Sequence, residues 1–248
     1  MNRQALIIAN PGEIGDKHYC EGVNKDVSLY ETFLRSPLGG YWQGSEISVL
    51  RRPSKVQVRA AMRDVKQAEY SLVIFCGHGG MHSTRGPTIL HLREGEELNS
   101  EELAENTTKR TVILDCCREI ARPSVLAKAA LDEAVKALRA DPIQCRLFYD
   151  SSIEKCPSGL VVLFGCSAGE RAGDDSQRGG RYSFNLRDST VEWADSLNID
   201  ITRESRDLSV VEAHERAARS VISGSGGTQH PVIQKPRSGK YFPFGVVA

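Results

Sequence analysis

The sequence holds no surplus charge of either sign, with 32 Lys and Arg against 32 Asp and Glu in 248 residues. A general grip on nucleic-acid phosphates needs a clustered basic excess, so nothing points to that class of partner. No apolar run approaches the roughly 20 residues that a spanning helix requires. The one N-terminal apolar stretch, residues 5–9, is too short for a secretion signal. There is no paired cysteine framework, because the seven cysteines are odd in number and scattered. Internal repeats, low-complexity tracts and a compact acidic cluster that would demand calcium are also lacking. These absences predict a soluble, intracellular (cytoplasmic) protein with reduced thiols, no membrane partner and no required metal or cofactor.

What is there reads as a globular core. Hydrophobic residues make up 40% of the chain, enough to bury a sizeable interior. Short apolar runs at 4–9, 46–50, 71–76, 111–115 and 160–166 predict strands, with a last one at 229–235. The runs at 71–76 (SLVIFC) and 111–115 (TVILD) are apolar throughout, as in strands covered on both faces. Helical spacing appears at 23–34, 184–197 and 209–222. A capping box, Ser54 with Gln57, opens another helix to about 68, and Ser209 with Glu212 opens the last. Pro123 starts a helix over 123–140. A small hairpin around 88–92 and a short helix at 100–106 complete the pattern. Residues 139–159, with Pro142 and Pro157, show no period and read as an irregular linker. Alternating strands and helices predict an α/β fold, a mainly parallel sheet of about six strands with helices on both faces.

Open α/β sheets place active sites just beyond the carboxyl ends of their strands. Beyond the third strand stands Gly77-His78-Gly79-Gly80, and beyond the fourth stands Cys116-Cys117-Arg118. If those strands are neighbours, about 4.8 Å apart, an imidazole and a thiol emerge together. The thiolate is the nucleophile of cysteine chemistry, and a nearby imidazole takes the thiol proton and later protonates a leaving amine. The glycines let a substrate backbone approach and leave an amide N–H to stabilise an oxyanion. Either residue alone reads more simply as structural; the pair at consecutive strand ends points to function.

VIFCGHGG resembles the His-Gly element of caspases and metacaspases, and ILDCCRE resembles their nucleophile element. ALIIAN with GVNKDV, LFGCSAGERAGDD and QHPVIQKP are similar to the family's first strand and helix, its small-subunit loop and its final strand. Glu119 stands where the family has glycine. The resemblance spans about 4–245 and implies a caspase-like three-layer sandwich. The implied parts are a large-subunit-like part (1–140), a linker (141–158) and a small-subunit-like part (159–248).

It further implies a cysteine endopeptidase acting on partner proteins. His78 would be the base and acid, Cys117 the nucleophile, and the Gly79 and Cys117 backbone N–H groups the oxyanion hole. Asp115 and Asp174, with Asp175 beside it, match the metacaspase positions that receive Arg or Lys before the scissile bond. Cys116 is left a packing role. Arg146 and Lys155, in the linker, are implied self-cleavage points. Separate inhibitor or activator proteins, and a microbial immune or cell-death setting, follow by family analogy alone, as does calcium dependence. Two other readings stand beside this one. A zinc site would use His78, His82, Cys116 and Cys117, whose spacing is poor for zinc. A pseudoenzyme would keep the fold as an interaction module.

Overall fold

The computed structural model describes residues 1–83, 86–105, 108–118, 140–198 and 204–248. Its elements run β1 (Arg3–Asn10), α1 (Gly22–Arg35), β2 (Ile47–Arg51), α2 (Lys55–Val65), β3 (Tyr70–Gly77), β4 (Gly79–Met81), β5 (Thr88–Arg93), β6 (Glu96–Asn99) and β7 (Lys109–Cys116). There follow α3 (Pro142–Glu154), β8 (Gly159–Phe164), β9 (Asp174–Asp175), β10 (Gly179–Gly180), α4 (Arg181–Ser196), β11 (Arg206–Ser209), α5 (Val210–Gly224), β12 (Val232–Gln234) and β13 (Pro243–Val247). Among the described residues, no helix is long and apolar enough to cross a membrane.

Six strands form one sheet in the order β12–β8–β7–β3–β1–β2, parallel except for β12. Side chains alternate across a strand, so each apolar run feeds two cores. Ala5, Ile7, Ala9, Leu72, Ile74 and Ile113 face α1, α3, α4 and α5. Leu6, Ile8, Val73, Phe75, Val112 and Leu114 face α2 and a small sheet of β4, β5 and β6. Burial on both faces explains runs without polar alternation; each fully buried Leu, Ile or Phe contributes about 1.5–3 kcal/mol. The result is the α/β sandwich expected from the sequence, with a mostly parallel six-stranded sheet between helical layers.

Both expected capping boxes form. Ser54 Oγ accepts from Gln57 N at 3.2 Å, and Ser209 Oγ accepts from Glu212 N at 3.2 Å. The irregular linker expected at 139–159 is corrected: Pro142–Glu154 is a helix. Asp141 caps it, its carboxylate accepting from Ile143 N and Gln144 N at 2.8 and 3.2 Å, with Pro142 in the first turn. Its buried side mixes Cys145 and Tyr149 with Ser152 and Ile153, while Ile143 and Leu147 face solvent. No apolar stripe therefore marks it in the sequence. The short helix at 100–106 is a 3₁₀ turn over Ser100–Leu103, and the small hairpin is the three-stranded β4–β5–β6 sheet. β11 and β13, which pair with each other, were not foreseen. The helix expected at 123–140 lies outside the described residues, apart from its final residue.

Candidate active site

β3 and β7 are parallel neighbours whose register pairs Cys76 with Asp115 and Gly77 with Cys116. His78 and Cys117 each directly follow these last paired residues, at the carboxyl end of the sheet. The alternation along β7 decides the fate of the flanking residues. Cys116 joins the α2-side core and is 1% exposed, whereas Cys117, beyond the strand, is half-buried. Burial pushes the Cys116 thiol well above its ordinary pKa, which leaves it protonated and inert. Gly79 sits over it: a Cβ there would lie 2.8 Å from Cys116 Sγ and 2.9 Å from Ile89 O. Cys117 Sγ lies 3.8 Å from the carbonyl of Ala172.

His78 is oriented by the turn after β1. Its Nε2 stands 3.1 Å from Pro11 O. A carbonyl only accepts, so Nε2 carries the hydrogen in the neutral ring and Nδ1 keeps the lone pair. The same carbonyl accepts from Cys20 N at 2.8 Å. Gly12, at φ +94°, makes the close approach feasible, since a Cβ there would lie 3.0 Å from His78 Nε2. A cleft of about 630 Å³ opens beside His78 between this turn and the β5–β6 hairpin, lined by Glu13, Asp16, His91 and Glu94 among others.

Arg118 anchors the chain directly after Cys117. Buried, it donates from Nε to Thr88 Oγ1 at 2.9 Å and from Nη1 to Cys166 O at 3.2 Å, and stacks on Phe164 at 4.2 Å. Its backbone N–H donates to Glu170 O at 2.9 Å, and its carbonyl accepts from Gly169 N at 2.8 Å.

Asp115 points to the opposite face from Cys116, toward α1 and α4. Its Oδ2 accepts from Ser183 N at 2.8 Å, while its Oδ1 is buried with no hydrogen-bond partner among the described residues. Burial raises its pKa, and Ser183, Arg187 and Arg181 oppose the rise. Asp174, on the loop after β8, accepts from Gly22 N at 3.2 Å. Burial, together with repulsion from Asp115 and Asp175, pushes its carboxyl up to about 6. Asp175 serves a local turn instead, its Oδ1 accepting from Gln177 N and Arg178 N at 2.8 and 3.0 Å.

Asp26 of α1 joins this group and was missed in the sequence. It is 1% exposed, accepts from Gly180 N at 2.7 Å and pairs with Arg187 at 3.4 Å. Burial and the charges of Asp115 and Asp174 push its pKa up against the pull of Arg187. The signal was legible: Asp26 lies on the helix face that carries Val23, Val27 and Tyr30, where a solvated carboxylate has no place.

The linker residues separate. Arg146 lies inside α3 with a two-pronged pair to Glu46 at 2.6 and 2.8 Å and a bond to Tyr41 O at 3.1 Å. Lys155 is exposed at the helix end. His82 is exposed beside Glu97, 4.0 Å away. Among the described residues, no three His, Cys, Asp or Glu side chains are grouped to hold a metal ion.

Against known proteins, the family model described as the caspase domain matches residues 2–243. No curated protein matches the chain.

Proposed function

The chain belongs to the caspase-domain family of cysteine peptidases, and from that premise we propose that it is an endopeptidase that cuts partner proteins after a basic residue, arginine before lysine. In this reading His78 Nδ1 takes the Cys117 thiol proton as Sγ attacks the scissile carbonyl carbon. The carbonyl oxygen, now negative, accepts from the backbone N–H groups of Gly79 and Cys117. The C–N bond breaks as His78 protonates the leaving amine, and water then releases the acyl group with His78 as base. The tautomer imposed by Pro11 O supports this role, because it leaves the proton-accepting nitrogen on the other side of the ring.

The specificity rests on one observation. Asp115 and Asp174 push the pKa of Asp26 up, Asp115 pushes up that of Asp174, and Asp115 Oδ1 is buried with no hydrogen-bond partner among the described residues. An incoming guanidinium supplies the missing positive charge and donors. Its planar fork engages two carboxylates at once, which an ammonium does less well, hence arginine first. Self-processing falls at Lys155, exposed at the end of α3, since Arg146 is tied into the helix by its pair with Glu46. By family analogy alone, targeting and restraint belong to separate activator or inhibitor proteins of a cytoplasmic immune or cell-death response.

Positional scanning with fluorogenic peptides tests the reading, comparing the natural sequence with Cys117→Ala and His78→Ala, with calcium added and chelated. Cleavage after Arg, then Lys, with both variants silent, is the expected result. A library in which Asp-ending peptides are the ones cut overturns the specificity. A natural protein that cuts nothing overturns the enzyme.

A further inference from the structure

We infer that Gln229 is a positioning residue that sets the distance between the two carboxylates of the primary pocket, an inference that rests on the basic-residue reading above. Gln229 is 1% exposed and lies on the segment leading into β12, far in sequence from either carboxylate. Its Nε2 donates to Gly165 O at 2.8 Å. Its Oε1 accepts from Gly173 N at 3.0 Å and from Arg181 Nη1 at 3.4 Å. Ser225 Oγ fixes its own backbone N–H at 3.1 Å.

The two backbone points it joins are the ones that carry the pocket. Gly165 follows β8 and backs onto Asp115, where a Cβ would lie 2.6 Å from Oδ1. Gly173 immediately precedes Asp174, and its carbonyl accepts from Arg181 N at 2.8 Å. One side-chain amide therefore spans from the wall behind Asp115 to the residue before Asp174. Only a primary amide of this length offers a donor at one end and an acceptor at the other. Asparagine is one methylene short of bridging both, and methionine fills the space with neither bond. The Gln229 amide acts beside the Gly22 N–H on Asp174, the Arg181 N–H on the Gly173 carbonyl and the two-residue β9–β10 pairing, and among these it is the bond that reaches back to the wall behind Asp115. Gln229 touches neither Cys117 nor His78 in this network, so it acts on where the basic side chain sits and not on the chemical step.

The test uses the full chain with Gln229→Met and Gln229→Asn. Each is read for kcat and KM on matched Arg and Lys peptides, for the rate of Cys117 alkylation by iodoacetamide, and for agmatine affinity by calorimetry in a Cys117→Ala background. The expected result is at least a tenfold loss of agmatine affinity and a similar rise in KM. The Arg-to-Lys preference falls at least threefold, while kcat and the alkylation rate stay within about twofold. Variants that keep the natural KM, agmatine affinity and Arg-to-Lys ratio overturn the inference. So does a loss of kcat and alkylation rate in step, or failure of both variants to fold, either of which makes Gln229 a core residue of general stability. A natural protein that binds no agmatine and cuts after no basic residue instead fails the pocket reading itself.

Discussion

Replacing Asp115 by asparagine separates pocket from scaffold. Asparagine keeps the shape, and its Oδ1 still accepts the Ser183 N–H bond now made at 2.8 Å. What is lost is the charge and the unpartnered oxygen that would meet the substrate cation. Charge-assisted hydrogen bonds contribute about 1.5–3 kcal/mol each, so losing two of them toward the lower end of that range gives about 3–4 kcal/mol. At 1.4 kcal/mol per factor of ten, kcat/KM for an Arg peptide should fall about 100- to 1,000-fold. The substrate-free protein should respond in the opposite sense. Burial already holds the Asp115 pKa above its usual value, so its charge costs folding energy. Removing it should leave Tm unchanged or raise it, by about 2–4 °C for each kcal/mol relieved.

The assay pairs thermal unfolding with turnover of two peptides, one ending in arginine and one in citrulline, the uncharged isostere. The variant should bring their turnover rates together while iodoacetamide still alkylates Cys117 at the natural rate. A Tm drop beyond about 5 °C, with both peptides losing equally, would refute the reasoning and make Asp115 a structural acceptor.

Asp174 gives a pH signature. Its folded pKa of about 6 lies above the ordinary 3.8, so its contribution to substrate-free stability is fully present below about 4 and is lost as pH rises through 6. Its capacity to bind a cation runs the other way, so KM for an Arg peptide should rise as pH falls through 6, an inflection absent in Asp174→Asn. Gly79→Ala should lower stability by about 1–3 kcal/mol by driving a methyl into Cys116 Sγ and Ile89 O. Adding Cys116→Ala should recover part of that loss in denaturant melts, and additive losses would refute the contact. Asp141→Ala should cost about 0.5–2 kcal/mol through its two N-terminal bonds to α3, with catalysis unaffected.

The sequence revealed the parts of the protein that have a local cause. β3 and β7 announce themselves as runs buried on both faces, and two helices by their capping boxes. His78 and Cys117 stood out as candidates because strand ends, histidine and cysteine coincide. α3 escaped because Ser152 lies on its buried side while Ile143 and Leu147 are exposed, which leaves only the Asp141-Pro142 start signal. β11 and β13 escaped because each is paired with a strand remote in sequence. Gln229 escaped for the same kind of reason: a polar residue gains its meaning from Gly165 and Gly173, and nothing near it in the chain names them. Asp26 was the avoidable miss, a carboxylate on an apolar helix face.

The Gln229 bridge also bears on how the chain comes together. Its two hydrogen bonds join positions 64 and 56 residues apart in sequence. Closing loops of that length costs entropy before the contacts return anything, so the bridge is expected to form with the global core and not within a local unit. Native-state hydrogen exchange at the Gly173 N–H, which the bridge covers, should then report global and not local opening.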